Sequence, residues 1–516
     1  MVFPCYNGEE LAERGWQMKG KRCIIPVPHS RRGRWVLFAA VSAALVLAAA
    51  LFLLNKTETR VNRKTPEGLN RYEVNLRLNT DEHTLGISET LRFRNDTGET
   101  LDELVMRTWL NAYETEDTSP AALDVWYDDC YYAGFSPGFL QVQDVIWNGE
   151  RAESAYSNAD KTALSVFIPP LKPGEEGTLL LRCVAALPAC AGRCGYVGAD
   201  YQLGNVIPLV SRWENGEWRK ETYSPVGDPF LSDCADFQLS LSIPADYAWA
   251  CSVPLTREKD GFLRGSAQAL RDVALCVSPD YCLAEGRANG IPIRSLAKTQ
   301  AGAARALQDA RQALETFEKL YGAYPYPAYT VCSADVPFGG MEYSALSMVS
   351  QSNYLEEKAE TLELVIAHET AHQWFYGLVG SDQALQPWQD EAASEYAALR
   401  YVRERYGESS FETLKYYRVD APLQERLPGT LTPGSPIDYF SSLTDYSTVV
   451  YGRGAALFLA LDEMLPGGVD AFLRAYADAF SYQFASRAQF EAFLNRYAGM
   501  DLRPLLMDYL DTAMDD

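Results

Sequence analysis

Histidine is scarce in this chain, with four residues among 516, and no Cys-x-x-Cys pair occurs. A zinc site built from paired thiolates is therefore not expected. Basic residues are also outnumbered, because 46 Lys and Arg stand against 69 Asp and Glu, for a formal net charge of −23. This acidity argues against nucleic acid or an anionic lipid surface as a partner. The sequence also lacks internal repeats and low-complexity tracts.

A long uncharged run is present near the N-terminus. Residues 35–54 are twenty residues without a charge, long enough to span a bilayer as a helix. Residues 1–34 carry seven Lys or Arg and three Asp or Glu, and this bias predicts that the N-terminus lies inside the cell. A cleaved signal peptide, cut near residues 48–50, is the alternative. Because residues 51–54 continue the apolar run, we expect an uncleaved anchor.

The rest of the chain divides into segments by residue pattern. Residues 1–34 are interpreted as a cytoplasmic tail, 35–54 as a transmembrane anchor and 55–69 as a stalk. Tyr72, Val74, Leu76 and Leu78 alternate with polar residues, the period of a half-buried strand. Such signals continue over 70–295, which we interpret as an all-β sandwich domain.

Helical signals dominate residues 296–516. Apolar residues recur at spacings of three and four from Leu307 to Leu320, before a stop at Gly322. Further helices are predicted near 358–378, 389–406, 410–418, 451–465, 468–481 and 487–498. A short strand is predicted at 329–336. The fold class is therefore α+β and multidomain, with a mainly helical second half.

Two of the four histidines stand four residues apart in the motif His368-Glu369-Thr370-Ala371-His372. Residues i and i+4 share one helix face, so both imidazoles can reach one metal ion. Catalytic zinc usually has a third protein ligand. Glu391 follows His372 after eighteen residues and begins the next predicted helix. The pattern predicts one zinc ion per chain, held by His368, His372 and Glu391.

Two further carboxylates lie near these ligands in the sequence. Glu369, inside the motif, is the candidate general base, since it can accept a proton from metal-bound water. Glu395 lies four residues after Glu391. It could orient a ligand imidazole, or it could be an ordinary acid on a helix surface, and the sequence leaves both open.

The sequence around these residues resembles the gluzincin zinc peptidases, and more narrowly the aminopeptidase-N and leukotriene A4 hydrolase-like family. HETAHQWFYGLVG, Glu391, GGMEY at 339–343 and YGRGA at 451–455 carry the resemblance. GFSPG at 134–138 and VGDPFLSDCADF at 226–237 extend it into the first half. The resemblance covers residues 70–515. It implies a thermolysin-like catalytic domain after the β-domain, with the active site near their junction.

The family implies roles for individual residues. Gly339, Gly340 and Met341 would lie along the peptide substrate, and Glu342 would bind its free α-amine. Tyr451 would donate a hydrogen bond to the oxyanion. The resemblance therefore implies an aminopeptidase that acts on peptides. The apolar run at 35–54 predicts that it lies outside the cytoplasm on a single-pass anchor in the cell membrane. An endopeptidase or another zinc hydrolase, and a non-catalytic peptide-binding ectodomain, are the alternatives.

The sequence departs from the family at three points. Tyr343 stands where Asn is common, and Arg453 stands where Lys is usual. The chain ends at Asp516 without the large C-terminal helical domain of many relatives, so we expect a more open cleft. The side-chain preference and the oligomeric state are not predicted by the sequence.

Overall fold

The computed structural model describes residues 63–121, 126–425 and 430–513. The predicted anchor at 35–54 and the first part of the stalk lie outside these residues. Within the described part of the chain, no helix has both the length and the apolar character needed to cross a membrane.

The first half of the described chain is built from β-strands. These are β1 Asn70–Asn79, β2 Thr84–Arg94, β3 Leu101–Arg107, β4 Phe139–Trp147, β5 Glu150–Arg151, β6 Ser154–Tyr156, β7 Ala163–Leu171, β8 Glu176–Ala186, β9 Cys194–Val197, β10 Asp200–Leu203, β11 Leu209–Val210, β12 Trp213–Glu214, β13 Glu217–Trp218, β14 Ala235–Ser242, β15 Ala248–Cys251, β16 Thr256–Arg257, β17 Leu263–Leu270 and β18 Leu275–Ser278. Helix α1, Tyr127–Cys130, interrupts them.

The strands form a β-sheet domain. Its largest sheet has the order β16-β17-β14-β1-β2-β8-β4-β5, and two smaller sheets have the orders β15-β18-β10-β9 and β11-β3-β7-β6. The predicted alternation in β1 is confirmed, because Tyr72, Val74, Leu76 and Leu78 are its buried residues.

The second half carries a mixed sheet and most of the helices. The sheet has the order β19-β20-β21-β23-β22, with β19 Cys282–Ala288, β20 Ile291–Ala297, β21 Tyr329–Ala334, β22 Gly340–Met341 and β23 Leu346–Ser350. The helices are α2 Gln300–Tyr321, α3 Ala359–Ala371, α4 Trp388–Tyr406, α5 Glu408–Lys415, α6 Leu443–Tyr446, α7 Gly454–Asp462, α8 Gly468–Ala479, α9 Arg487–Ala498 and α10 Arg503–Leu510. Short 3₁₀ and π-helical turns join them.

Helix α2 forms where the apolar spacing predicts it. The Thr299 side chain caps its first turn by accepting a hydrogen bond from the backbone N–H of Gly302. The helix ends at Gly322, whose φ of +89° favours glycine. The Gly322 carbonyl then accepts a hydrogen bond from the Trp374 indole, just beyond α3. In this way α2 supports the helix that carries the histidines.

Both halves belong to one compact unit, Arg63–Asp516. Arg271, just after β17, is buried in the helical half. Its guanidinium donates to the carbonyls of Tyr376, Gly377 and Gln483 at 2.6–3.1 Å. The adjacent Asp272 accepts hydrogen bonds from the Ser344 backbone N–H and the Tyr376 hydroxyl. The β-sheet domain therefore holds the two loops that flank the candidate site.

Candidate metal centre and active site

Helix α3 brings the two motif histidines together. Their Nε2 atoms lie 3.0 Å apart, and both side chains are buried. The helix ends at Ala371, so the predicted end at residue 378 is wrong. Backbone bonds from Gly377 to His372 and from Leu378 to Gln373 replace the helical pattern. Arg271 binds carbonyls in this turn, so a residue from the first half of the chain holds the segment that follows the helix.

Helix α4 supplies the third side chain. Glu391 lies in its first turn, and its Oε2 atom is 3.3 Å from the Nε2 atom of each histidine. Burial acts to raise the pKa of the Glu391 carboxyl, but the two adjacent imidazoles lower it. Three metal-donor atoms therefore converge on one point.

The three atoms fit a zinc ion. The Nδ1 atom of His372 donates to the Phe375 carbonyl at 3.1 Å, and that of His368 faces the Glu395 carboxylate at 3.3 Å. With protons on Nδ1, both Nε2 atoms present lone pairs to the Glu391 oxygen. Three acceptors this close need a cation between them. Tetrahedral zinc with bonds of about 2.0–2.1 Å separates its ligand atoms by roughly 3.3–3.4 Å, close to the observed 3.0–3.3 Å.

Glu395, which the sequence left open, is buried beside His368 instead of lying on the surface. Arg418 holds its carboxylate with two hydrogen bonds of 2.7 and 2.8 Å. Burial alone would raise the pKa of Glu395, but Arg418 and His368 lower it to about 2. A permanently ionised carboxylate thus orients the imidazole. Sequence reasoning missed Arg418, which lies 23 residues further along the chain.

Glu369 points into the same region from α3. It is fully buried, and neither of its carboxylate oxygens has a hydrogen-bond partner among the described residues. Burial raises the pKa of Glu369 to about 8. A Cβ atom added at Gly340 would lie 2.5 Å from its Oε1 atom. Such a carboxylate, packed against bare backbone, is suited to proton transfer.

The segment 339–343 runs past the metal centre as β22. Gly340 and Met341 pair with Val349 and Met348 of β23. Glu342 is buried, and burial raises its pKa to about 8. Gln383 donates a hydrogen bond to its Oε1 atom at 3.4 Å. The glycines, Met341 and Glu342 are thus brought beside the histidines.

Tyr343 and Arg453, the two residues near the site that differ from the usual family sequence, have structural explanations. The Tyr343 hydroxyl donates to Asn205 of the β-sheet domain at 2.9 Å, and a Cβ atom at Gly204 would lie 1.9 Å from that hydroxyl. Tyr343 therefore joins the two halves of the molecule. Arg453 donates to the Glu425 carbonyl at 2.6 Å and holds the loop there.

Tyr451 lies in a π-helical segment, Ser447–Arg453, that packs against the metal centre. Its ring stacks beside His368 with centroids 5.7 Å apart. Burial raises its pKa, and so does the charge of the neighbouring Glu391. The ring of Tyr446, on the preceding turn, has its centroid 5.7 Å from that of the Tyr451 ring. The sequence alone did not identify Tyr446.

Two further residues that the sequence did not single out come from the β-sheet domain. Asp228 places a carboxylate oxygen within 4.8 Å of those of Glu342 and Glu391. Arg193 forms a 2.5 Å ion pair with Asp228 and donates to the Met341 sulfur at 3.3 Å. Asp228 belongs to the stretch VGDPFLSDCADF, so the resemblance offered a signal for it. Arg193 lies outside the stretches that carry the resemblance.

Two histidines and a glutamate around one point, with a buried carboxylate beside them, define a zinc-peptidase type of metal centre. Residues 305–509 match the model of the Peptidase family M1 domain. These residues therefore carry a zinc-metallopeptidase domain of the M1 type, which confirms the predicted resemblance.

Curated relatives match over part of their length. The chain is 30% identical over 184 residues to mouse Aminopeptidase RNPEPL1, covering 33% of this chain and 25% of that protein. It is 28% identical over 196 residues to Leukotriene A-4 hydrolase of Xenopus laevis, covering 36% and 31%. Rat Aminopeptidase B is 27% identical over 199 residues, covering 36% and 30%. The matching segment thus spans less than a third of each relative.

A solved structure shares the fold more widely. The M1 zinc metallopeptidase from Deinococcus radiodurans superposes with a TM-score of 0.63 at 18% identity, covering 87% of this chain and 94% of that one. A mutant of the same enzyme has been solved with a Tyr-Ser-Ala substrate. The arrangement of a β-sheet domain before a helical catalytic domain is therefore shared.

Proposed function

We propose that this protein is a zinc aminopeptidase that removes N-terminal residues from peptides. The observation that carries the proposal is the convergence of His368, His372 and Glu391 at 3.0–3.3 Å. The buried and unpartnered carboxylate of Glu369 lies beside them. Several relatives of the matched segment are named aminopeptidases.

The residues divide the reaction between them. Bound zinc would polarise the scissile carbonyl and make water more acidic. Glu369 accepts a proton from the attacking water and passes it to the leaving amine. The Tyr451 hydroxyl donates a hydrogen bond where negative charge develops on the carbonyl oxygen. Glu395 and Arg418 keep the His368 imidazole in one orientation and one tautomer.

Glu342 supports the exopeptidase part of the proposal. An α-ammonium bound to its carboxylate forms a charge-assisted hydrogen bond in a buried site. The carboxylates of Asp228 and Glu391, within 4.8 Å of it, add to the negative potential there. A peptide whose amine is acetylated would lose this contact and leave the buried Glu342 carboxylate without its charged partner.

The test compares free-amine and N-acetylated aminoacyl amides with purified, zinc-loaded protein. We expect cleavage of the free-amine substrates alone, and loss of cleavage in Glu369→Gln with zinc still bound. Equal cleavage of both substrates would indicate an endopeptidase. Bound zinc without cleavage of amides or longer peptides would indicate a peptide-binding protein instead.

We also propose that residues 35–54 anchor the protein in the cell membrane, with the peptidase outside the cytoplasm. The support is the twenty-residue uncharged run and the arginines before it. An anchored protein remains in the membrane pellet after alkaline carbonate extraction and keeps its N-terminus. A soluble product that begins after residues 48–50 would show a cleaved signal peptide.

A further inference from the structure

A cavity of about 60 Å³ opens beside the metal centre, between Tyr451 and Asp228. Its walls come from both halves of the molecule and are mainly apolar. The principal apolar side chains are Pro120, Ala121, Trp126, Phe338, Leu443 and Tyr446. Two of the described lining residues carry charged side chains, namely Arg193 and Asp228.

These two charges satisfy each other. The Arg193 guanidinium lies 2.5 Å from the Asp228 carboxylate and 4.8 Å from the centre of the Phe338 ring. It also donates to the Gly227 carbonyl and to the Met341 sulfur. An acidic ligand would have to compete with Asp228 for these contacts. A basic ligand would meet a buried guanidinium. A charged ligand of either sign would also lose its hydration on entering the cavity.

The position of the cavity indicates which part of a peptide enters it. Asp228 in the cavity wall adjoins Glu342, which binds the α-amine in the proposed function, and Tyr451 in the same wall is the proposed donor to the carbonyl oxygen. The side chain of the first residue branches from the carbon atom between these two groups. Resting on the proposed function, this geometry directs the N-terminal side chain into the cavity.

We propose that the cavity selects peptides whose N-terminal residue has an uncharged apolar side chain, such as Leu or Met. Its mainly apolar walls favour such side chains. Charged side chains of either sign are disfavoured by the paired Arg193 and Asp228.

The first test measures kcat/KM of the zinc-loaded full-length protein on coumarin amides of Leu, Met, Phe, Arg and Glu. We expect Leu and Met to exceed Arg and Glu at least tenfold, as pocket contacts of this kind discriminate about 10–200-fold. Equal or better cleavage of the Arg or Glu amide would overturn the selectivity while leaving the aminopeptidase in place. Calorimetry with Glu369→Gln compares the binding of Leu-Ala-Ala and Arg-Ala-Ala. If no amide is cleaved, the proposed function fails, and these affinities alone decide the selectivity.

The second test places a charge in the cavity wall. Leu443 is half-buried on the short helix α6, so its replacement is compatible with folding. Leu443→Glu should raise the Arg-to-Leu ratio of kcat/KM about tenfold, because a carboxylate then faces the substrate side chain. Leu443→Gln, of the same shape but neutral, should change that ratio less than twofold. Ser447→Asp and Ser447→Asn repeat the comparison at a second lining position. An unchanged ratio in both acidic variants would overturn the proposal.

Discussion

His368 is held from behind by a carboxylate and a guanidinium in series. Glu395 lies 3.3 Å from its Nδ1 atom, and Arg418 binds both oxygens of Glu395. Because the carboxylate is ionised and buried, it favours the tautomer that leaves Nε2 free for a metal. Residues this far apart in sequence show their relation only in the folded chain.

We expect Glu395→Gln to weaken zinc binding about 10–100-fold, the usual effect of removing a carboxylate behind a ligand histidine. The neutral amide is a weaker acceptor for the imidazole and leaves Arg418 without its charged partner. Competition with a zinc-chelating dye measures the dissociation constant. Glu404→Gln is the matched control, since Glu404 lies on the same helix but pairs with the exposed Lys319. Equal zinc affinity in the two variants would show that Glu395 does not support the ligand.

At the scale of elements, the sequence predicts periodic segments better than their ends. The helix predicted from Leu307 to Leu320 and the strand alternation predicted from Tyr72 to Leu78 follow from apolar spacing, and both are confirmed. The end of α3 does not follow, because Arg271 binds carbonyls beyond it. The pattern predicts a helix that begins at residue 451, but this residue lies inside the π-helical segment Ser447–Arg453, and the α-helix begins after it. Local patterns cannot reveal contacts made by distant residues.

Strand β22 and helix α3 approach each other most closely at Gly340. Gly340→Ala would place a Cβ atom 2.5 Å from the Glu369 carboxylate, so the base or the strand has to move. We expect kcat to fall at least about 100-fold, since small displacements of a reacting group have effects of this size. Gly86→Ala in β2 is the control, because its nearest neighbour would be an ordinary 3.8 Å away. Steady-state kinetics with thermal unfolding separate lost catalysis from lost folding. Normal kcat in Gly340→Ala would show that the contact is dispensable.

At the scale of the whole molecule, the sequence identifies the metal ligands but not what holds them in place. His368, His372 and Glu391 follow from motif and spacing. The side chains that join the two halves, such as Arg193, Asp228 and Arg271, are single charged residues without a repeating pattern around them. Their importance depends on burial, which a sequence without alignment does not show.

Arg271 gives the sharpest test of this coupling. Its guanidinium donates to carbonyls of Tyr376, Gly377 and Gln483 in the helical half, and to that of Ser232 in the β-sheet domain. Removing it leaves several buried carbonyls unpaired, so we expect Arg271→Ala to destabilise the protein by about 3–5 kcal/mol. Urea unfolding measures this loss.

The same variant should also loosen the turn that follows the metal-binding helix. Hydrogen exchange at residues 376–380 should accelerate more than exchange in β1, because the lost contacts hold that turn. Arg264→Ala is the control, since the half-buried Arg264 forms ion pairs with Glu258 and Asp260 within the β-sheet domain and lies over the Phe262 ring, and its loss should cost much less stability than that of Arg271. If Arg271→Ala changed exchange equally everywhere, the residue would stabilise the fold in general. A selective change would mean that the β-sheet domain positions the active site through this side chain, which a catalytic half expressed alone would lack.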